Sequence, residues 1–300
     1  MAELFRIFVD VLIPVAVVVA AGYLAARRWS LDHRPMGTLA YWLLAPAFIF
    51  RLLADPAAFR GPVFGMLGAS LITVIVLWIM MALLLRDADP ERRVLDSMAA
   101  SFGNVGNLGF PIVLFALGSE ALPAAAIHFL AITIGVFVLG ISASARLRSG
   151  TAIKALTRVA TTPAIAVTPF AFAFAGFEWQ LPTFAGRSVD LLADAMIPVM
   201  LLTLGMQLAS SHLTSGLERL GLIGVAKLVV APLIYFPLAA LFGLTGDARD
   251  AGLLLAAMPT AVLVGLISVE FDLETEVATA AILGTSLVSF ATLGLIIRFL

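Results

Sequence analysis

The sequence predicts an all-α membrane protein of ten transmembrane helices, arranged as two inverted five-helix repeats with broken helices four and nine. Three observations carry this expectation. Hydrophobic residues fill 62% of the 300 positions and charged residues 12%, at a mean hydropathy of +1.09, far from the balance of a water-soluble domain. Ten apolar runs follow one another, most of them near the ~20 residues of helix that cross about 30 Å of hydrocarbon. Prolines recur at matching places in the first five runs and the last five.

The first run, 4–26, is longer than the apolar stretch of a signal peptide and reads as a span. Further runs follow at 36–54, 62–85, 94–118, 122–145, 159–177, 189–210, 217–243, 250–271 and 274–298. The longest connection, RLRSGTAIKALTR, divides the chain into a first repeat (1–147), a cytoplasmic linker (148–158) and a second repeat (159–300). With the N-terminus outside, inner loops carry Arg27, Arg28, Arg34, Arg86, Arg92, Arg93, Arg146, Arg148, Lys154, Arg158 and Arg219. The outer side then carries only Arg6, Arg51, Arg60, Arg187, Arg249 and Arg298. Basic residues are retained in the cytoplasm, so both termini are expected outside.

Because five is odd, similar halves must lie in the membrane in opposite orientations. Pro14 answers Pro169, Pro46 answers Pro198 and Pro111 answers Pro259, in the first, second and fourth runs of each half. Proline is also common in membrane helices at large, so its recurrence alone has a second explanation.

The fourth run contains GNVGNLGFP (103–111), three glycines, two asparagines and a proline inside an otherwise apolar helix. Pro111 has no N–H and its ring collides with the carbonyl four residues back. Backbone freed in this way is tolerated in a membrane only where protein or a water-filled cavity satisfies it. The ninth run has a plainer counterpart at Met258–Pro259–Thr260. Breaks at corresponding places in two repeats are where secondary transporters bind substrate, with half-helix ends aimed at it. Pro111 and Pro259 each suit the first turn of a second half-helix, whose exposed amides favour an anion. Asn104, Gly106, Asn107, Pro111, Pro259 and Thr260 are therefore the candidate substrate-binding residues. The asparagines have a second role open to them, bonding neighbouring helices.

Ionisable groups within spans are the other candidates. Lys227 lies near mid-depth of the eighth span, where it can neutralise a substrate carboxylate, pair with an acid or snorkel to the surface. His128 can carry a proton or simply hydrogen-bond. Asp194, like Asp10, can assist a cation or the substrate, whereas Asp96 sits one turn from Arg92 and Arg93 and reads as a surface ion pair. Thr203, Gln207, Thr285, Ser286 and Ser289 can line a path or bond to their own helices. No metal site or organic cofactor is expected, and H+ coupling, Na+ coupling and uniport all fit. An intramembrane enzyme needs a nucleophile with its base, paired acids or a metal cluster, yet there is no cysteine and the three histidines are scattered. A channel remains compatible with the spans, but paired helix breaks speak for alternating access.

The runs AASFGNVGNLGFPIVL (99–114), LLTLGMQLA in the seventh span and LLAAMPTAVLVGLISVEFD in the ninth resemble the bacterial branch of the auxin efflux carrier family, a distant relative of the bile-acid:sodium symporters. The resemblance implies that helices four and nine cross at their breaks. It also implies a scaffold of helices 1, 2, 6 and 7, through which a homodimer forms, and a transport domain of helices 3–5 and 8–10 that moves like an elevator. Plant carriers place an asparagine beside each crossover proline; here Phe110 and Met258 stand there. An indole carboxylate is thus a poorer expectation than a small mono- or dicarboxylate such as malate or malonate, carried across a bacterial inner membrane. A sodium-coupled carrier of an amphipathic, bile-acid-like anion is the alternative.

Overall fold

The computed structural model describes residues 6, 8–56, 62–148, 161–210 and 216–300. Of the expectations above, Arg60, Lys154, Arg158, the linker beyond Arg148 and the start of the sixth span lie outside the described residues.

Twelve helical segments are present among them. They are α1 (Phe8–Trp29), α2 (His33–Leu53), α3 (Val63–Leu84), α4 (Pro90–Ser101), α5 (Val105–Leu117) and α6 (Ser119–Leu147). They continue with α7 (Pro163–Gly176), α8 (Thr183–Ser210), α9 (Leu217–Leu241), α10 (Gly246–Ala256), α11 (Val262–Glu270) and α12 (Thr275–Ile297). Seven of these, α1, α2, α3, α6, α8, α9 and α12, are long and apolar enough to cross a membrane, and α7 is a shorter apolar helix. The fourth and ninth apolar runs are each split in two, into α4 with α5 and α10 with α11.

Starts and stops follow local chemistry. The Asp32 carboxylate accepts the Arg34 amide at 3.0 Å and caps α2, while Asp89 accepts the Glu91 amide at 2.9 Å ahead of Pro90 to start α4. The helix of the seventh span begins at Thr183 rather than 189 because the polar turn around Arg187 and Ser188 stays helical.

Four prolines inside helices are accommodated in one way. Wide π turns at Phe8–Leu12, Ala40–Leu44, Val105–Gly109 and Ala226–Val230 each end two residues before a proline, at Pro14, Pro46, Pro111 and Pro232. The carbonyl that the ring would strike sits within the widened turn, so the clash is relieved without ending the helix. Pro169 and Pro198, in contrast, lie inside unwidened α-helix.

Helices pair across the two halves. α1 runs along α8, and α7 along α2. The first contact is backbone to backbone: a Cβ on Gly22 would lie 2.2 Å from the Leu202 carbonyl oxygen, and one on Gly205 would lie 2.0 Å from that of Val19. Small residues permit such approach between membrane helices. In the other group α3 contacts α4, α6 and α9, and α9 contacts α10 and α12. A continuous apolar core joins the groups, with the Phe48 and Phe110 rings edge to face at 4.9 Å. Leu24, Phe64, Leu83, Leu191, Leu241 and Leu287 point outward, exposed, as lipid-facing side chains do.

Asp96 departs from its expectation as a surface pair. It is fully buried and bonded chiefly to Arg219, at 2.5 and 2.9 Å, with Arg92 more distant at 3.6 Å. Arg219 reaches Glu274 as well, at 2.7 Å. The pairing partner lies 123 residues away in sequence, so adjacency to Arg92 and Arg93 misled the reading.

Candidate functional site

The two interruptions meet. α4 ends at Ser101, Phe102 is extended, and the chain turns tightly at Asn104 (φ −75°, ψ 61°), where the Val105 amide reaches the Gly103 carbonyl at 2.8 Å; α10 ends at Ala256, and residues through Ala261 precede α11. Gly103 and Thr260 form an antiparallel bridge. The Asn104 amide donates to the Pro259 carbonyl at 2.7 Å and the Ala261 amide to the Phe102 carbonyl at 2.8 Å. Backbone that each break leaves without a helical partner is thereby satisfied by the other break, as burial requires.

Each second half-helix restarts at a place its proline does not mark. α5 begins at Val105, six residues before Pro111, and its first turn is the π turn in which the Gly109 amide reaches the Asn104 carbonyl, five residues back, at 3.1 Å. Pro259 lies within the second break, and α11 starts at Val262. The early amides of both half-helices, Gly106 and Asn107 in one and Val262 and Leu263 in the other, fall in the turn that has no helical acceptors.

These four residues are among those that line a cavity of about 520 Å³. Its walls come from α2 (Arg34, Thr38, Tyr41), α6 (Phe129, Thr133, Phe137), α8 (Met196, Met200, Thr203, Gln207), α11 (Val262, Leu266), the first break (Gly103, Asn104) and the start of α5 (Val105 to Asn107). His33 and Glu270 line it as well. A second cavity of about 430 Å³ opens at the other end of the molecule, lined by Arg51, Asp55, Glu120, Thr245 and Asp247.

Three of the sequence candidates line the first cavity: Asn104, Gly106 and Asn107. Asn104 is 4% exposed and its side-chain Nδ2 is buried without a hydrogen-bond partner. Buried polar groups are ordinarily bonded, so an amide nitrogen left open beside a cavity marks a place for an acceptor. Pro111, Pro259 and Thr260 are not in the lining. Thr260 is fully buried: its hydroxyl donates to the Ala99 carbonyl at 2.8 Å, and its amide to the Thr285 hydroxyl at 2.9 Å.

The ionisable candidates also lie away from the lining. Lys227 is buried rather than snorkelling and, among the described residues, pairs with no acid; its ammonium donates to the Ala256 carbonyl at 2.6 Å. His128 is buried, with Nδ1 2.8 Å from the Ser70 hydroxyl. Asp194 forms an exposed ion pair with Arg51 at 2.5 Å, joining α8 to α2. Thr203 and Gln207 do line the cavity, and Thr285 supports the second break instead. Arg34, Thr38 and Tyr41 were missed, although their three- and four-residue spacing is that of one polar helix face.

An all-helical, multi-pass membrane protein in which two interrupted helices meet beside a cavity between helix groups has the anatomy of a membrane transporter. The family described as "Membrane transport protein" matches residues 7–128 and 170–297, and the chain belongs to that family, as its likeness to auxin efflux carriers indicated. A Rhizobium meliloti protein named "Putative malonate transporter" is 30% identical over 295 residues, covering 90% of this chain and 89% of its own. An uncharacterized transporter of Methanothermobacter thermautotrophicus is 25% identical over 304 residues, covering 95% and 96% of the two chains. Another from Methanocaldococcus jannaschii is 24% identical over 201 residues, covering 66% and 65%.

Proposed function

We propose that this protein is a secondary transporter that moves a small organic anion, a mono- or dicarboxylate such as malonate or malate, by elevator-type alternating access. The observation that carries the reading is the Asn104 Nδ2, buried without a hydrogen-bond partner in a residue that lines a cavity, beside lining residues from the first turns of α5 and α11. Amide donors and two half-helix N-termini converging on one space suit a carboxylate. The name of the Rhizobium meliloti relative supports the dicarboxylate.

In this reading α1, α2, α7 and α8 are the scaffold, and the remaining helices form the moving domain that carries the joined breaks. Two inverted five-helix repeats are supported by the reciprocal pairing of α1 with α8 and α7 with α2, the pattern expected of a pseudo-twofold axis. The cavity lies between the two groups, where displacement of one against the other would close it at one end and open it at the other. A homodimer through the scaffold, an inner-membrane location with both termini outside, and H+ or Na+ as coupling ion belong to the same proposal. Apolar walls from Phe129, Phe137, Met196 and Met200 favour a second reading, a larger amphipathic anion.

The test is thermal stabilisation of the purified protein across mono- and dicarboxylates, since a ligand raises apparent stability with its occupancy. A shift with malonate or malate, followed by saturable counterflow in vesicles, supports the proposal. A shift only with bile-acid-like anions selects the second reading, and shifts only with neutral or cationic compounds overturn both.

A further inference from the structure

Lys227 is buried in the protein and the cavity does not use it. It stands in the π turn Ala226–Val230, which widens ahead of Pro232 and hands the side chain toward both breaks. Its Nζ donates to the carbonyl of Ala256, the last residue of α10. Gly103 in the other break passes so close that a Cβ there would lie 3.3 Å from the Lys227 Cε and 3.4 Å from Nζ. The residue is 2% exposed, and among the described residues no carboxylate pairs with it.

What compensates the ammonium is therefore backbone. The C-terminal end of α10 carries about half a unit of negative charge on carbonyls that lack helical donors. α4 also ends beside Gly103. In carriers with interrupted helices, such ends and unwound carbonyls are where a coupling cation is coordinated. Here an amine tethered to α9 already occupies that position.

We infer that Lys227 supplies, as a fixed part of the chain, the positive charge that a coupling cation would otherwise bring to the joined breaks, so that the protein works without sodium. The inference rests on reading the chain as an anion carrier. It narrows that reading by removing Na+ from the coupling scheme.

The experiment is thermal unfolding of the purified full-length protein in choline, sodium, lithium or ethylammonium chloride, without substrate, for wild type, K227R, K227A and K227M. Wild type is expected to melt at the same temperature in all four salts. K227A should melt several degrees lower in choline and recover in sodium or ethylammonium, whose ions fit the vacated space. K227M, which fills that space without charge, should stay low in every salt, and K227R should resemble wild type. A sodium-specific rise in wild type, or a folded K227A indifferent to every cation, overturns the inference. If K227A does not fold, the wild-type salts together with K227R and K227M still decide it. These arms contain no carboxylate, so they read the cation position whether or not malonate binds. In a separate arm, a malonate shift that requires sodium in wild type overturns this inference and leaves the proposed function standing. Failure of every carboxylate, with the salt pattern as expected, overturns the proposed function and leaves standing only that Lys227 occupies a cation position at the joined breaks.

Discussion

The Asn104 amide and the Pro259 carbonyl share a 2.7 Å hydrogen bond across the two helix breaks. Asn104 thus has two duties in one residue. Its backbone ties the breaks together, and its side-chain Nδ2 is buried without a partner where the residue borders the cavity. Proline at 259 suits its half of the arrangement, since the break needs its carbonyl and has no use for an N–H there.

Replacing Asn104 by alanine keeps the backbone bond and removes the side-chain amide. A hydrogen bond to a charged group is worth about 1.5–3 kcal/mol, so carboxylate affinity should fall roughly 10- to 150-fold while the ligand-free melting temperature changes little. Thermal shift titration measures both. Unaltered affinity in N104A and in the double variant with N107A would remove these residues from the site.

Thr260 should behave in the opposite way. T260V removes the bond to the buried Ala99 carbonyl, which lies in the last turn of α4, at a cost of about 1–3 kcal/mol for the acceptor left unpaired. Transport per folded molecule should persist, as vesicle uptake normalised to folded protein would record. T285V should cost a similar amount, about 1–3 kcal/mol, because it leaves the buried Thr260 amide without its acceptor.

The Arg219 guanidinium bonds both Asp96 and Glu274. R219A strands the buried Asp96 carboxylate, and breaking such a pair by removing one partner costs about 3–5 kcal/mol. R219K keeps the charge but loses the fork that meets both acids. Melting temperatures should fall in the order wild type, R219K, R219A. The double variant R219A/D96N should recover part of the loss, and its failure to do so would mean that the buried charge is not what R219A exposes.

At the contact of α1 with α8, G205A places a methyl group where the Val19 carbonyl now lies, 2.0 Å from it. Backbone cannot yield as a side-chain tip does, so the helices must part, at a cost of at least the roughly 1–3 kcal/mol typical of overpacking. A melting curve reads this. G221A, where a Cβ meets nothing within 4 Å, is the control and should leave stability unchanged or slightly raised.

Composition and run length were enough to read the all-helical membrane class and most spans, because lipid imposes both on any chain that crosses it. The first break was legible because GNVGNLGFP concentrates residues that a helix accommodates poorly. The second was legible only through its counterpart, and its restart at Val262 was not, since a proline can sit within a break as well as after one. Asn104 and Asn107 stand out in the sequence as polar residues in an apolar run. The bonding partners of Thr260, Lys227 and Asp96 were not legible, because each lies far away in sequence: Ala99, Ala256 and Arg219. Sequence spacing informs only about neighbours on the same helix.

A π turn is a helix holding one residue more than its hydrogen-bond ladder requires. The four that precede Pro14, Pro46, Pro111 and Pro232 are therefore surplus residues coupled to particular prolines. A relative that has lost one of these prolines no longer needs the surplus. Its alignment with this chain should open a single-residue gap there, or else every side chain beyond that point would turn about 100° around the helix axis, the angle one residue spans. The length of each span is in that sense recorded together with its proline, and the two should be gained and lost as a unit.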